Sequence, residues 1–315
     1  MLRNRYLPEG TLLHTEANKR AKSSISALIY AMEYRIILEG RVILCDAAHN
    51  LIVELGEFTG VIPRCEAAIG IADGATREIA VISRVGKPVA FHITGIDQSD
   101  DGKVSIRLSR REAQMEALRY MLGSLSVGDV IPARVTHLEP FGAFVDVGCG
   151  NVSLIGIENV SVSRIAHPEN RFAVQQEIYG VVLNIDEDEG RITLTHRELL
   201  GTWEQNIAHF EVGQTVRGIV RGIEQYGVFV ELAPNLSGLA ERRDDIKEGD
   251  AVSVYIKNIA AQKMKIKLII IDVLEEKSLA LLSKRDYFIT DGHIDTWQYS
   301  PIECEKKNIQ TVFTD

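Results

Sequence analysis

Residues 127–147 read VGDVIPARVTHLEPFGAFVDV, and residues 212–232 read VGQTVRGIVRGIEQYGVFVEL. The second stretch repeats the first at a constant offset of 85 residues, matching Val127 with Val212, Gly128 with Gly213, Phe141 with Tyr226 and Phe144 with Phe229. Aromatics and glycines held at fixed separation within alternating Val and Ile mark a duplicated β-unit. A weaker third copy, ILEGRVILCDAAHNLIVEL, occupies 37–55. Aligning its Glu54 with Asp146 puts His49 at the first aromatic position and Ile52 at the second.

Three such modules of 60–90 residues and two tails account for the 315-residue chain and agree with ordinary domain sizes. The reading outward from the repeats is an N-terminal helical segment at 1–37, a degenerate module at 38–111 and a linker helix at 112–126. The best-preserved module at 127–200 follows, then a linker at 201–211, a compact module at 212–273 and a C-terminal extension at 274–315. Strands of module two are predicted near 130–137, 143–147, 152–157, 177–185 and 191–195, with the polar segment SVSRIAHPENRF (161–172) crossing between the third and fourth. Five short strands with one cross-connection predict a small closed Greek-key barrel of the oligonucleotide/oligosaccharide-binding (OB) type. The fold class is therefore mainly β, with three tandem five-stranded barrels.

The flanks are less regular. Residues 9–37 contain no internal proline, and Ile25, Leu28, Ile29, Met32 and Ile36 fall at helical spacing, which predicts one helix docked on module one. Residues 110–123 predict a helix between modules one and two, and 197–210 another before module three. Near the C-terminus, Asp291-Gly292 is a hairpin-type dipeptide between two β-prone runs. Trp297 and Tyr299 would then share a face that either packs on module three or meets a partner.

The net charge is −9, from 35 Lys and Arg against 44 Asp and Glu, but its distribution is uneven. Module two with its flanks (124–205) has five basic residues against twelve acidic. Residues 212–273 have nine against eight, and residues 1–37 have six against three. Phosphate attraction depends on local surface charge, so module three and the N-terminus are the electropositive candidates.

Two features of modules two and three suit single-stranded nucleic acid. The first is the ring pairs Phe141/Phe144 and Tyr226/Phe229, each spanning a glycine. In an undistorted strand, residues three apart face opposite ways, and a distortion at the glycine would bring both rings to one surface. Exposed rings on a barrel form a stacking platform for bases; the alternative is that one or both are core aromatics. The second feature is the fifth strand. NIDEDEGRITLT places Asp186 before the turn and Arg191 after it, and NIAAQKMKIKLI places Lys263, Lys265 and Lys267 on one predicted face. A period-two lysine stripe can follow a phosphate backbone, or it can simply be solvated.

At these residues the chain resembles the S1 RNA-binding domain family, the repeat of a large small-subunit ribosomal protein and of several ribonucleases and translation factors. Module two carries VGDV, FGAFVDV and NIDEDEGRITLT in the family's order, and module three keeps YGVFVEL and the fifth strand. Module one matches mainly in GRV, TGVIPRCE and GKVSIRLS. The resemblance implies an RNA surface of two strand-two aromatics, a His opening strand three, an Asp before strand five and a basic residue within it. Those positions hold Phe141, Phe144, Gly156, Asp186 and Arg191 in module two. Module three has Tyr226, Phe229, Glu241, Ala260 and Lys265, and module one has His49, Ile52, Pro63, Asp97 and Lys103. The ring pair is kept only in modules two and three. The resemblance also implies that leading repeats serve protein docking, so module one is expected to face the ribosome or another protein.

No nucleophile elbow, phosphate loop or HExxH motif is present, and the eight histidines make no metal-ligand spacing. No apolar run reaches the roughly 18 residues that span a bilayer, and no secretory leader pattern opens the chain. Cys45, Cys65, Cys149 and Cys304 are far apart with no CxxC, which favours isolated thiols over a metal site or disulfide. The expectation is a cytoplasmic, non-catalytic protein with no cofactor, no metal and no membrane partner. It is expected to bind single-stranded RNA, mRNA in particular, in translation or RNA metabolism. A protein-interaction scaffold, or an accessory subunit of an RNA-processing complex, with weak or lost RNA binding is the alternative, and the charge of module two favours the scaffold.

Overall fold

Strict alternation of apolar and polar residues leaves each strand one face to bury, and five such strands close on themselves to bury it. The computed structural model describes residues 6–99, 104–274, 287–304 and 307–314. Module one comprises β1 (Leu38–Cys45), β2 (Leu51–Leu55), β3 (Phe58–Ile62), β4 (Pro88–Gln98) and β5 (Val104–Ser109). Module two comprises β6 (Val130–Glu139), β7 (Gly142–Asp146), β8 (Val152–Gly156), β9 (Glu177–Asp186) and β10 (Arg191–Thr195). Module three comprises β11 (Thr215–Glu224), β12 (Gly227–Ala233), β13 (Leu236–Ala240), β14 (Ala251–Ala260) and β15 (Lys265–Val273). Each set is a closed barrel with the same order: the first three strands form a meander, the third pairs with the fifth, and the fourth closes on the first. The third–fifth pairing is parallel in all three. The inward faces supply the cores, such as Val42, Val53, Phe91 and Leu108 in module one and Val220, Val230, Val254 and Leu268 in module three.

Where the sequence predicts one N-terminal helix there are two, α1 (Glu16–Ala21) and α2 (Ile25–Glu33). The break is local: the Ser24 hydroxyl accepts from the Ala27 amide and caps a new helix. Lys22 ends α1, and its Nζ turns inward to donate to the Glu39 carbonyl at 2.6 Å. Leu28 of the predicted stripe is buried, with Ile25 and Met32 packed on the same core, while Ile29 and Ile36 stay exposed. A single turn, α3 (Ile79–Ile82), precedes β4. The linker helix α4 (Arg110–Ser124) starts directly after β5, capped by Ser109. Before module three only α5 (Trp203–Ile207) is α-helical, a shorter element than the one predicted.

The C-terminal hairpin differs in its partners. Strand β16 (Thr296–Gln298) pairs with β17 (Gln310–Val312), not across Asp291-Gly292. The Gly292 carbonyl instead accepts from the Val130 amide at 3.0 Å, and His293 meets Asp129. Trp297 and Tyr299 are buried in the core of module three and its surroundings.

The chain divides into two compact units. One is residues 1–125 with 132–134 and 146–152; the other is 126–131, 135–145 and 153–315. In the second unit the crossing segment of module two docks on module three through buried polar groups. Arg171 pairs with Glu231, which also accepts from Arg221 Nε at 3.0 Å. Asn235 accepts from the Val162 amide at 2.9 Å and donates to the carbonyls of Arg197 and Gly201.

The first unit holds a buried charge cluster. Glu9 grips Arg110 with both oxygens, at 2.6 and 3.0 Å, and meets Arg84 at 3.1 Å. Burial and the nearby Glu9 carboxylate push Glu39 up to about 7 and Asp146 up to about 6. Folding therefore favours the protonated form of Glu39. Its stabilisation is full below its unfolded value of 4.5 and is lost as pH rises through about 7. Between pH 6.5 and 8 the unit should lose roughly 0.8 kcal/mol from this group alone. Urea unfolding of wild type and Glu39→Gln across that window checks this: the variant curve should be flatter, and parallel curves would refute the assignment.

Candidate nucleic-acid interface

The first strands of modules two and three turn back on themselves immediately before a glycine. Phe141 lies in that turn and β7 begins at Gly142, so Phe141 is not bound by strand alternation. A Cβ at Gly142 would sit 2.4 Å from the Ile155 carbonyl oxygen, and one at Gly227 would sit 2.5 Å from that of Ala240. The glycine is thus required by close approach of the third strand, rather than by a bulge. The turn folds the first ring back over the second. Phe141 and Phe144 are 5.9 Å apart and perpendicular, and Tyr226 and Phe229 repeat this at 6.1 Å. Phe141 is 56% exposed, Tyr226 69% and Phe229 36%, and Phe144 is half-buried.

Pairing register shows what stands beside the rings. In module three Gly222 pairs with Phe229, Phe229 with Leu239, Leu239 with Lys267, and Lys267 with Asn258. Register partners project from the same face, so Phe229 and Lys267 lie on one outer row. Lys265 pairs with Ala260 at the end of the next outer row and is exposed. Lys263 is placed differently from the predicted stripe: it ends a 3₁₀ turn (Ala261–Lys263), and Met264 with φ of 46° separates it from the strand. The outer face of β15 continues past the two lysines as Ile269 and Ile271, both exposed.

In module two Leu154 pairs with Thr193, and Thr193 with Asn184, so Thr193 stands where module three has Lys267. Asp186 and Arg191 are in direct register across β9 and β10. Arg191 is exposed, yet its guanidinium meets Glu189 at 2.6 Å, while Asp186 accepts from the Glu189 amide. At the position where the family resemblance places a histidine, a Cβ on Gly156 would meet the Glu158 carboxylate at 2.4 Å. Module two thus offers rings in an acidic frame, and module three offers rings with a lysine two strands away on the same outer row.

Module one has no ring in the matching row. Leu44 pairs with Ile52, Ile52 with Val61, Val61 with Arg107, and Arg107 with Gly95. Arg107 is tied to Asp97 at 3.1 Å. His49 is held 3.0 Å from Glu78, which also pairs with Arg64. Lys103 lies outside the described residues.

One neighbour of the rings is absent from the sequence-derived set. His137, on β6, lies 6.4 Å from Phe144 with planes only 25° apart. It is 63% exposed, and its Nε2 is 2.7 Å from Glu139 Oε1. Sequence reasoning missed it because the neighbour across a hairpin depends on register, and the 85-residue match of His137 to Gly222, the register partner of Phe229, does not by itself give that register. All four cysteines are free thiols. Among the described residues, no group of three or more His, Cys, Asp or Glu is placed to hold a metal ion, and no helix is long and apolar enough to cross a membrane.

Comparison with known proteins places similarity over module two and beyond. Residues 124–197 match the S1 RNA-binding domain. The small ribosomal subunit protein bS1 of Streptococcus pneumoniae is 31% identical over 54% of this chain and 46% of its own length. A small ribosomal subunit protein bS1 homolog of Bacillus cereus is 27% identical over 80% of this chain and 64% of its own. The chain thus spans about half to two-thirds of the length of these relatives. A solved multidomain protein with nucleic acid binding domains, from Streptococcus pneumoniae, aligns over 75% of this chain and 73% of its own. Its identity of 14% and TM-score of 0.24 make the overlay too loose to argue from.

Proposed function

The chain is an S1-domain family protein, and on that premise we propose that it is a non-catalytic, cytoplasmic protein that binds single-stranded RNA through modules two and three in translation or RNA metabolism. The observation that carries this reading is the repeated perpendicular ring pair, whose leading ring, Phe141 or Tyr226, stands exposed at the same turn of two barrels. Bases stack on such rings without sequence preference. Lys265 and Lys267, on the outer face two strands from Phe229, attract the phosphates; the acidic frame of module two makes module three the electrostatic anchor. Two linked weak sites gain affinity by effective concentration, without any new interaction. Module one, with aliphatic side chains in its matching row and exposed Ile43 and Leu44, takes a protein partner, of which the ribosome is one form.

Titration of a labelled single-stranded RNA into the full chain at several salt concentrations tests this. Changing Lys263, Lys265 and Lys267 together to Gln should flatten the log–log salt dependence by roughly 0.7 for each phosphate that is no longer neutralised. Tyr226→Ala should weaken binding with the slope unchanged. Equal slopes for wild type and the triple variant would leave the lysines merely solvated, and no binding at low salt would favour the protein-scaffold reading.

A further inference from the structure

The rings of the two platforms match, but their neighbours across the hairpin do not. In module three the partner of Phe229 is Gly222. A Cβ there would meet nothing nearer than Phe229 Cδ2 at 3.9 Å, so the space beside the ring is open. The residue matched to Gly222 by the 85-residue offset is His137. Its neighbour Thr136 donates through Oγ1 to the Phe144 carbonyl at 3.1 Å, which fixes the strand against β7. Module two therefore fills with an aromatic ring the place that module three leaves empty.

The geometry points to His137 as a third RNA-contacting ring of module two, extending the Phe141/Phe144 surface by the width of one nucleobase. This inference rests on the reading of the two barrels as RNA-binding. Three observations carry it. The imidazole is nearly parallel to Phe144, whereas Phe141 is perpendicular to it, so His137 and Phe144 present similarly oriented rings. Most of the imidazole is open to solvent. Its orientation is also restricted: Nε2 lies within hydrogen-bond distance of Glu139 Oε1, at 2.7 Å, and that contact limits rotation about the side-chain bonds. A ring held in place before its ligand arrives loses less entropy on binding. Stacking releases few counterions, so the contribution should add affinity with little change in salt dependence. Modules two and three would then differ in kind: module two contributes more stacking, module three more phosphate attraction.

The test uses the full chain and a fluorescein-labelled oligouridylate of about 20 nucleotides, long enough for one or more OB-type sites. His137→Ala should weaken binding roughly five- to tenfold with the salt slope unchanged. Gly222→His, placed where the backbone and the space both allow it, should tighten binding. The effect of His137→Ala should shrink when Phe144 is already alanine, because the two rings serve one site. Wild-type affinity in His137→Ala together with no gain in Gly222→His would overturn the inference. Weaker binding accompanied by a shallower slope would also overturn it, replacing stacking with phosphate attraction. Should His137→Ala melt early, the Gly222→His arm decides alone. Absence of any binding by the wild-type chain is a separate result and removes the RNA reading itself.

Discussion

Replacing Phe144 and Phe229 together by alanine is expected to weaken single-stranded RNA binding by about 2–6 kcal/mol, taking 1–3 kcal/mol for each base stack removed. The rings are partners in separate perpendicular pairs on separate barrels, so each effect is local. On an RNA that reaches both barrels the combined effect should exceed that of either single variant, since the two sites assist each other through effective concentration. On an RNA too short to bridge them, one substitution should leave the other barrel's affinity intact. Anisotropy titrations with long and short oligonucleotides separate these cases. If the double variant bound a long RNA as tightly as wild type, the ring pairs would be surface aromatics with no ligand and the stacking reading would fall.

The second large effect concerns stability. Glu231→Gln should destabilise the second unit by about 3–5 kcal/mol, the cost of breaking a buried ion pair from one side. Glu231 is 4% exposed and is shared between Arg171, fully buried, and Arg221, nearly so. The amide keeps the shape but removes the negative charge between two guanidinium groups, and burial magnifies the difference. Urea unfolding read by tryptophan fluorescence should report it, since Trp203 and Trp297 belong to the same core. A change below 1 kcal/mol would mean that the arginines are compensated elsewhere. The RNA affinity of the folded variant should be retained: Glu231 lies two residues along β12 from Phe229, but the two arginines cover it, whereas Phe229 stays exposed.

Much of the fold could be read from local pattern. The strands of module two were predicted within about two residues of their observed ends, because period-two alternation is a local property of each strand. The ring pairs were found because the chain repeats them. Their exposure was not settled by pattern alone: alternation set Phe141 and Phe144 on opposite faces, and the turn before Gly142, packed under the Ile155 carbonyl, brings them to one side. Lys263 fell outside the stripe because the left-handed residue Met264 resets the alternation. The single N-terminal helix became two because a serine hydroxyl can replace a backbone partner at any turn where packing favours a break.

The aligned acids mark the limit of such reading. Glu54, Asp146 and Glu231 hold one position in the three copies. Glu54 is exposed; Asp146 is buried and accepts from the amides of Glu9, Gly148 and Gly150; Glu231 is buried between two arginines. Likewise Gly292 joins Val130 instead of forming the expected hairpin turn. Three barrels and the ring pairs of two of them follow from the amino-acid order alone, since strand period and repetition are local signals. Packing in three dimensions selects which acid is buried, which edge the C-terminal segment joins and that His137 stands beside Phe144. Those outcomes depend on partners tens to hundreds of residues away or on the other strand of a hairpin, where burial and unpaired backbone groups select the neighbour.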